Sequence, residues 1–334
     1  MLSAAVMALF FGACERVMDG EGDCPTIYQV KLQYTRNILE ADAFAAQVKS
    51  VSLFLFDRQG RCVAVQKESG DALAEDDYLM VLDDVPAGTY DMIAWCGLEG
   101  SSSFALDNAR QPQTKQDLIC RLQAQSRGAA QSKSQLAPLW HGSADNVVLS
   151  ADQVGSKVVA TIDLTKDVNT VRIVMQHYRH KQIESKDFEF KITDWNGVMN
   201  YDNTLMGDDE VTYREWTVRE AEVAMPGEDE DAADVTRISS LVAELDVARL
   251  VKSERRPVLE VRKADADQPL LRLPLIDLLL VAKGEARRKM DDQEYLDRQD
   301  DYTLLFYIND DDGWYMNGGI WVNSWHIIEN YPKL

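Results

Sequence analysis

From Thr26 onward apolar and polar positions alternate. Tyr28, Val30, Leu32 and Tyr34 fall on one side of the chain and Ile27, Gln29, Lys31 and Gln33 on the other, the period of a half-buried strand. Residues 48–56 (VKSVSLFLF) predict a second strand, 57–60 (DRQG) a turn, and 62–65 (CVAV) the return of a hairpin. Strands at 78–85 and 89–95 flank Pro86-Ala87-Gly88. There Pro fixes φ and Gly admits positive φ, so a strand–turn–strand unit is expected. Between residues 97 and 134 the alternation fails, and a loop with one short helix near 116–123 is expected. Strands resume at 146–149 and 157–164.

The second half repeats the style. Strands are expected at 170–176, 188–193, 241–246, 258–262 and 270–275, with an acidic solvated loop at 227–234 (GEDEDAAD). Residues 275–282 (LIDLLLVA) read as a buried strand or, from 276 to 284, as the start of a helical turn; 291–297 could be another turn. Strands at 302–308 and 319–325 close the chain as a hairpin around 309–313 (NDDDG), which places Trp321 and Trp325 on one face of the last strand. Many short strands and hardly any amphipathic helix predict an all-β chain of two tandem antiparallel β-sandwich domains. A polar stretch at 152–156 marks the division: 24–152 for the N-terminal sandwich and 156–334 for the C-terminal one.

Composition changes this picture in one respect. Of 334 residues, 35 are Lys or Arg and 56 Asp or Glu, a net charge of −21. Such a surface repels phosphate backbones and anionic lipid headgroups, so nucleic acid is excluded as a partner.

One apolar run, residues 4–13 (AAVMALFFGA), matches an export element. As a helix it rises about 15 Å, half the hydrocarbon core, which suits a signal peptide rather than a span. It ends Phe11-Gly12-Ala13-Cys14. Small residues before a cysteine form a lipobox, so residues 1–13 read as signal peptide, Cys14 as the lipidation site and 14–23 as a short acidic tether. The plainer reading is a signal peptide cleaved near Ala13 beside an incidental cysteine. No Lys or Arg precedes Ala4, so either the leader is unusual or the start lies upstream. Lipidation implies outer-membrane lipid as a partner and a lipid-anchored place at the cell surface. Export permits disulfides among Cys24, Cys62, Cys96 and Cys120, which have three possible pairings; free buried thiols are the alternative.

Catalytic chemistry is not legible. Histidines occur at 141, 177, 180 and 326, and His177 and His180 stand at a strand end on opposite faces. No nucleophile elbow, phosphate loop or zinc signature occurs, and aligning Gly313 in a calcium loop puts Ile308 where an acid is required. No cofactor, metal or catalytic residue is expected. The seven tryptophans (95, 140, 195, 216, 314, 321, 325) are either core or a sugar-stacking platform.

Several segments in order resemble the fimbrillin-A-associated anchor protein family, the fimbrial anchor subunits of type V pili in Bacteroidetes. They are 34–44 (YTRNILEADAF), 51–60 (VSLFLFDRQG), 85–98 (VPAGTYDMIAWCGL), 139–142 (LWHG), 164–175 (LTKDVNTVRIVM), 248–251 (ARLV), 273–279 (LPLIDLL), 293–298 (QEYLDR) and 320–325 (IWVNSW). The resemblance implies two transthyretin-like sandwiches in a lipidated subunit at the pilus base. Its partner would be a pilin subunit of the same fimbrium, engaged by strand complementation, with the anchor keeping its own first strand and so ending elongation. The candidate contact residues are Ile327, Ile328, Tyr331 and Leu334, in a tail that otherwise completes the chain's own last sheet. A pilus tip adhesin or a surface glycan-binding lipoprotein is the alternative function.

Overall fold

The computed structural model describes residues 26–123, 135–150, 156–179, 181–207, 209–225, 236–284, 287–309, 313–314, 320–323 and 325–327. The first half contains β1 (Ile27–Gln33), the single turn α1 (Phe44–Gln47), β2 (Ser50–Phe56), β3 (Cys62–Ser69), β4 (Met80–Val81), β5 (Gly88–Cys96), β6 (Phe104–Leu106), β7 (Cys120–Leu122), β8 (Trp140–Leu149) and β9 (Lys157–Lys166). One hydrogen-bonded sheet runs β3-β2-β5-β8-β9-β1-β4. Its strands β8 and β9 meet at Trp140↔Lys166, His141↔Thr165 and Gly142↔Leu164. Strands on either side of this seam face each other across one core: Val30 and Leu32 of β1 and Ile162 of β9 pack with Leu53 and Leu55 of β2 and Met92 of β5. The fold-over needs a glycine, because a Cβ on Gly142 would stand 2.7 Å from the Asp163 carbonyl oxygen.

Strand β2 is apolar without alternation because both its faces are covered. Phe54 and Phe56 point away from the first core, and Phe104, Leu118, Cys120 and Leu122 pack in the same cluster as them. Those covering residues belong to or adjoin a three-stranded sheet, β12-β7-β6, whose member β12 (Val198–Met199) comes from the second half.

The second half continues with β10 (Val168–His177), β11 (Phe188–Asp194), β13 (Val211–Arg214), β14 (Thr217–Met225), β15 (Thr236–Ala248), β16 (Val258–Lys263), β17 (Pro269–Pro274), α2 (Leu275–Val281), α3 (Asp292–Arg298), β18 (Asp301–Ile308), β19 (Ile320–Val322) and β20 (Trp325–Ile327). A six-stranded sheet, β14-β15-β10-β18-β19-β20, and a four-stranded sheet, β13-β11-β16-β17, share a core that includes Ile173, Met175, Phe190, Leu245, Leu259 and Phe306. That core is continuous with the cluster beneath β2 and β5, so the two halves are packed into each other. The chain is all-β, as its alternation predicts.

Several expectations need correction. The helix expected at 116–123 is a single 3-10 turn, Lys115–Asp117, closed by a capping box with Thr114, followed by strand β7. The strand expected at 78–85 pairs only over Met80–Val81, and Asp84 then takes a positive φ of 56°. Residues 275–281 are a helix rather than a strand: Leu275, Ile276, Leu278 and Leu279 are buried while Asp277 turns outward to Arg256. The division expected at 152–156 falls inside the first sheet. That sheet continues through β9, which pairs in parallel with β1, and the changeover comes at Asp167. Cys62, Cys96 and Cys120 are free thiols, one of the two alternatives open from the sequence; Cys24 lies outside the described residues, as do the loop at 227–234 and His180.

Candidate functional site

Strand β1 is seated deep in its sheet. It pairs in parallel with β9 from Ile27↔Lys157 to Gln33↔Asp163 and antiparallel with β4 at Gln29↔Val81 and Val30↔Met80. Tyr28, Val30 and Leu32 are 6%, 0% and 2% exposed. Three such side chains contribute about 1.5–3 kcal/mol each.

At the other end of the chain, β19 and β20 form a small hairpin turned by Asn323, whose φ is 47°. Asn323 is fixed by Thr303, whose amide donates to its Oδ1 at 2.6 Å and whose carbonyl accepts from its amide at 2.9 Å. This turn corrects the expectation that Trp321 and Trp325 share one strand: they lie on two paired strands, Trp321 opposite His326 and Trp325 opposite Val322. The backbone of Ile327 pairs with Ile320 in the outermost strand of the six-stranded sheet. Cys14, Ile328, Tyr331 and Leu334 lie outside the described residues.

Four of the segments singled out in the sequence converge between the halves. Arg249, from 248–251, donates from Nε (3.1 Å) and Nη2 (2.9 Å) to Asp297 of α3, and from Nη1 to the carbonyl of Asn203. Asp167, between β9 and β10, accepts from Asn203 Nδ2 at 2.8 Å and stands 3.8 Å from Arg249 Nε. Gln293, one turn before Asp297 on α3, donates to both Asp297 and the Leu250 carbonyl. His141, from 139–142, lies on the same junction and donates from Nε2 to the Tyr201 carbonyl at 2.8 Å. A fifth segment closes the outer side: Arg298 donates to the Thr35 carbonyl and Arg36 stands 4.0 Å from Asp297.

Burial decides the charges here. It pushes the Asp167 carboxyl up to about 7 against the opposing pull of Arg249 and Asn203. It pushes His141 down to about 4, with Arg249 adding to the shift. Arg249 therefore faces Asp297, with Asp167 protonated through mildly acidic pH and His141 neutral. Such a set braces two bodies; it has no nucleophile and no free base in reach of solvent.

Beside this junction opens a cavity of about 610 Å³ lined by Asp194, Trp195, Leu205, Met206, Val251 and the 253–255 loop, with Arg249 and Gln293 at its inner side. Asp194 ends β11 and is 5% exposed; its Oδ1 accepts from the Trp195 amide at 2.7 Å, and burial pushes its carboxyl up to about 7. Of the tryptophans, Trp95 and Trp140 are core, Trp216 and Trp314 are half-buried, and Trp195 alone among the described tryptophan side chains lines this cavity. Neither the cavity nor the junction was legible as a site, because their residues come from loops far apart in sequence. Among the described residues no cluster of three or more His, Cys, Asp or Glu could hold a metal, and no helix is long and apolar enough to cross a membrane.

The sequence pattern of the fimbrillin-A associated anchor proteins Mfa1 and Mfa2 matches residues 21–331. The chain belongs to this anchor family. It is a family of fimbrial anchors, which places the chain at a fimbrium or the cell surface. Among solved structures, a candidate adhesin from Bacteroides thetaiotaomicron VPI-5482 is 28% identical with a TM-score of 0.81, over 92% of this chain and 99% of that one. A candidate polysaccharide-binding protein from the same organism is also 28% identical, TM-score 0.72, over 90% and 98%. The fimbrial anchor protein Mfa2 from Porphyromonas gingivalis shares the fold at 17% identity, TM-score 0.66, over 92% and 100%. No curated protein matches the chain. Within the anchor family's segments, Arg249 pairs with Asp297 inside the second half and stands beside Asp167 at the changeover, while His141 to Tyr201, Arg298 to Thr35 and Arg36 to Asp297 cross between the halves.

Proposed function

We propose that this member of the anchor family is a lipoprotein that holds a fimbrium to the outer membrane and terminates its growth. The observation that carries the reading is the seated strand β1, parallel to β9 over its full length with Tyr28, Val30 and Leu32 buried. A subunit whose first strand fills its own sheet offers no groove to a neighbour's strand, so addition on that side stops. Polymerisation by strand exchange then leaves one direction open: a strand given away. The tail beginning at Ile327 is the donor, with Ile328, Tyr331 and Leu334 as the side chains that enter the pilin's groove. A donated strand of ten residues or so supplies ladder hydrogen bonds at about 1 kcal/mol net each.

Membrane attachment falls to Cys14, thirteen positions before β1. A single acyl chain gives a partition constant near 10⁴ M⁻¹, about 5.5 kcal/mol, so the several chains of a mature lipoprotein hold the base in place for the life of a fibre. Mass spectrometry of the native N-terminus together with immunogold labelling of fimbriae tests the reading. Acylated Cys14 and label confined to the fibre base are the expected results; label at the tip, or along the shaft, contradicts it.

A further inference from the structure

A turn at residues 200–204 is held against the seam of the two halves by three side chains. Asn203 stands at its corner with a positive φ of 64°, its backbone amide bonded to the Asn200 carbonyl. His141 of β8 donates to the Tyr201 carbonyl, Arg249 donates to the Asn203 carbonyl, and Asp167 accepts from Asn203 Nδ2 at 2.8 Å. The third contact leaves one atom over on each side. Asp167 Oδ2 and Asn203 Oδ1 are both buried and meet no hydrogen-bond partner, on side chains that are themselves buried. Ionised, Asp167 offers only acceptors, so neither leftover oxygen can serve the other. Turning the amide over only sets its oxygen against Asp167 Oδ1. Two unpaired acceptors in the interior are costly, and a single proton between them satisfies both.

The groups around Asp167 leave that proton in place. They are Arg249 beyond β15, Asp297 of α3, Tyr34 beyond β1, Cys96 of β5 and Cys120 of β7. Arg249 spends its donors on Asp297 and on the Asn203 carbonyl, and its Nε stays 3.8 Å from Asp167. Burial pushes the Tyr34 phenol and both thiols up, so all three are neutral. Lys166, the preceding residue, pairs with Asp300 instead.

We propose that Asp167 and Asn203 form a carboxylic acid–amide pair that works as a proton latch on the 200–204 turn. With the proton present, Asp167 Oδ2–H donates to Asn203 Oδ1 while Asn203 Nδ2–H donates to Asp167 Oδ1. Losing it removes one bond and leaves two acceptor oxygens facing each other, which frees the turn from the seam. Burial pushes the folded Asp167 carboxyl up to about 7, whereas a carboxyl exposed by opening releases its proton near 3.8. Opening therefore becomes easier as pH rises between those values, by at most about tenfold per pH unit. Thr204 of this turn and the following Leu205 and Met206 line the 610 Å³ cavity, so the same proton sets how firmly that wall is held.

Hydrogen exchange of the full-length protein in detergent tests the latch, compared at about pH 5 and about pH 7 after correction for the intrinsic rates. The amides to follow are Asn200, Asn203, Thr204 and Met206, all bonded within or beside the turn. Their protection is expected to fall at least tenfold from the lower to the higher pH. Asp167→Asn replaces the acid by an amide that makes both bonds with Asn203 without a proton. In that variant the protection is expected to be the same at the two pH values. The proposal is overturned if the unaltered turn is equally protected at both, or if Asp167→Asn follows the same pH course. It is also overturned if these amides exchange no faster than that of Ile173 in the centre of β10, since the turn would then not open on its own.

Discussion

Two carboxylates meet Arg249 in different ways. Asp297 receives two donors of the guanidinium, while burial pushes the carboxyl of Asp167, 3.8 Å away, up to about 7. Replacing Arg249 with Leu removes two of the donors that buried Asp297 receives and leaves it only the distant cation of Arg36, at 4.0 Å, a loss of about 3–5 kcal/mol. Urea unfolding is expected to register a loss of that size, and a loss under about 1 kcal/mol would contradict the bracing role of this pair. Asp167 makes a second prediction, with a definite sign. The folded carboxyl keeps its proton to about pH 7, whereas the unfolded one releases it near 3.8. Folding thus takes up a proton between those values, and stability falls as pH rises through that window, by at most about 1.4 kcal/mol per pH unit. Asp194 contributes in the same direction. Asp167→Asn retains the acceptor for Asn203 and is expected to flatten this part of the stability–pH curve.

Elements with one covered face were readable from the chain, because their side chains alternate: β1 and β10 are the clearest, with Val30 and Leu32, and Ile173 and Met175, turned inward. An edge strand with exposed charges was not. Strand β14 went unread because exposed Arg219, Glu220 and Glu222 dominate an edge strand. Helix α2 read equally as a strand, since four of its seven residues are buried. The junction was legible only as scattered family segments, because Asp167, Asn203, Arg249 and Asp297 meet through tertiary packing that no local pattern records. The closing hairpin shows the same limit: one left-handed residue, Asn323, converts an expected single strand into two. As an element, this hairpin ends in β20, the sheet's outermost strand, and the tail continues from there. Deleting residues 327–334 is expected to release fimbriae into the medium while the protein itself stays in the membrane fraction. Fimbriae retained on such cells would show that the tail serves only its own sheet.

The whole molecule packs its four sheets into two interlocked halves, and the proposal ties them to the membrane at Cys14. A net charge of −21 repels phosphate-rich surfaces, which is why the proposed attachment assigns the membrane to a covalent lipid rather than to the folded body. The proposed anchor is a continuous mechanical path: lipid, tether, β1, the packed halves, and the terminal strand given to the pilin. Removing the first link interrupts the path without touching the fold. The decisive measurement is fractionation of cells carrying Cys14→Ala, with fimbriae and protein assayed in membrane and medium. Both are expected to be lost to the medium together, still joined. Protein and fimbriae that remain as firmly membrane-bound as in unaltered cells would contradict the account.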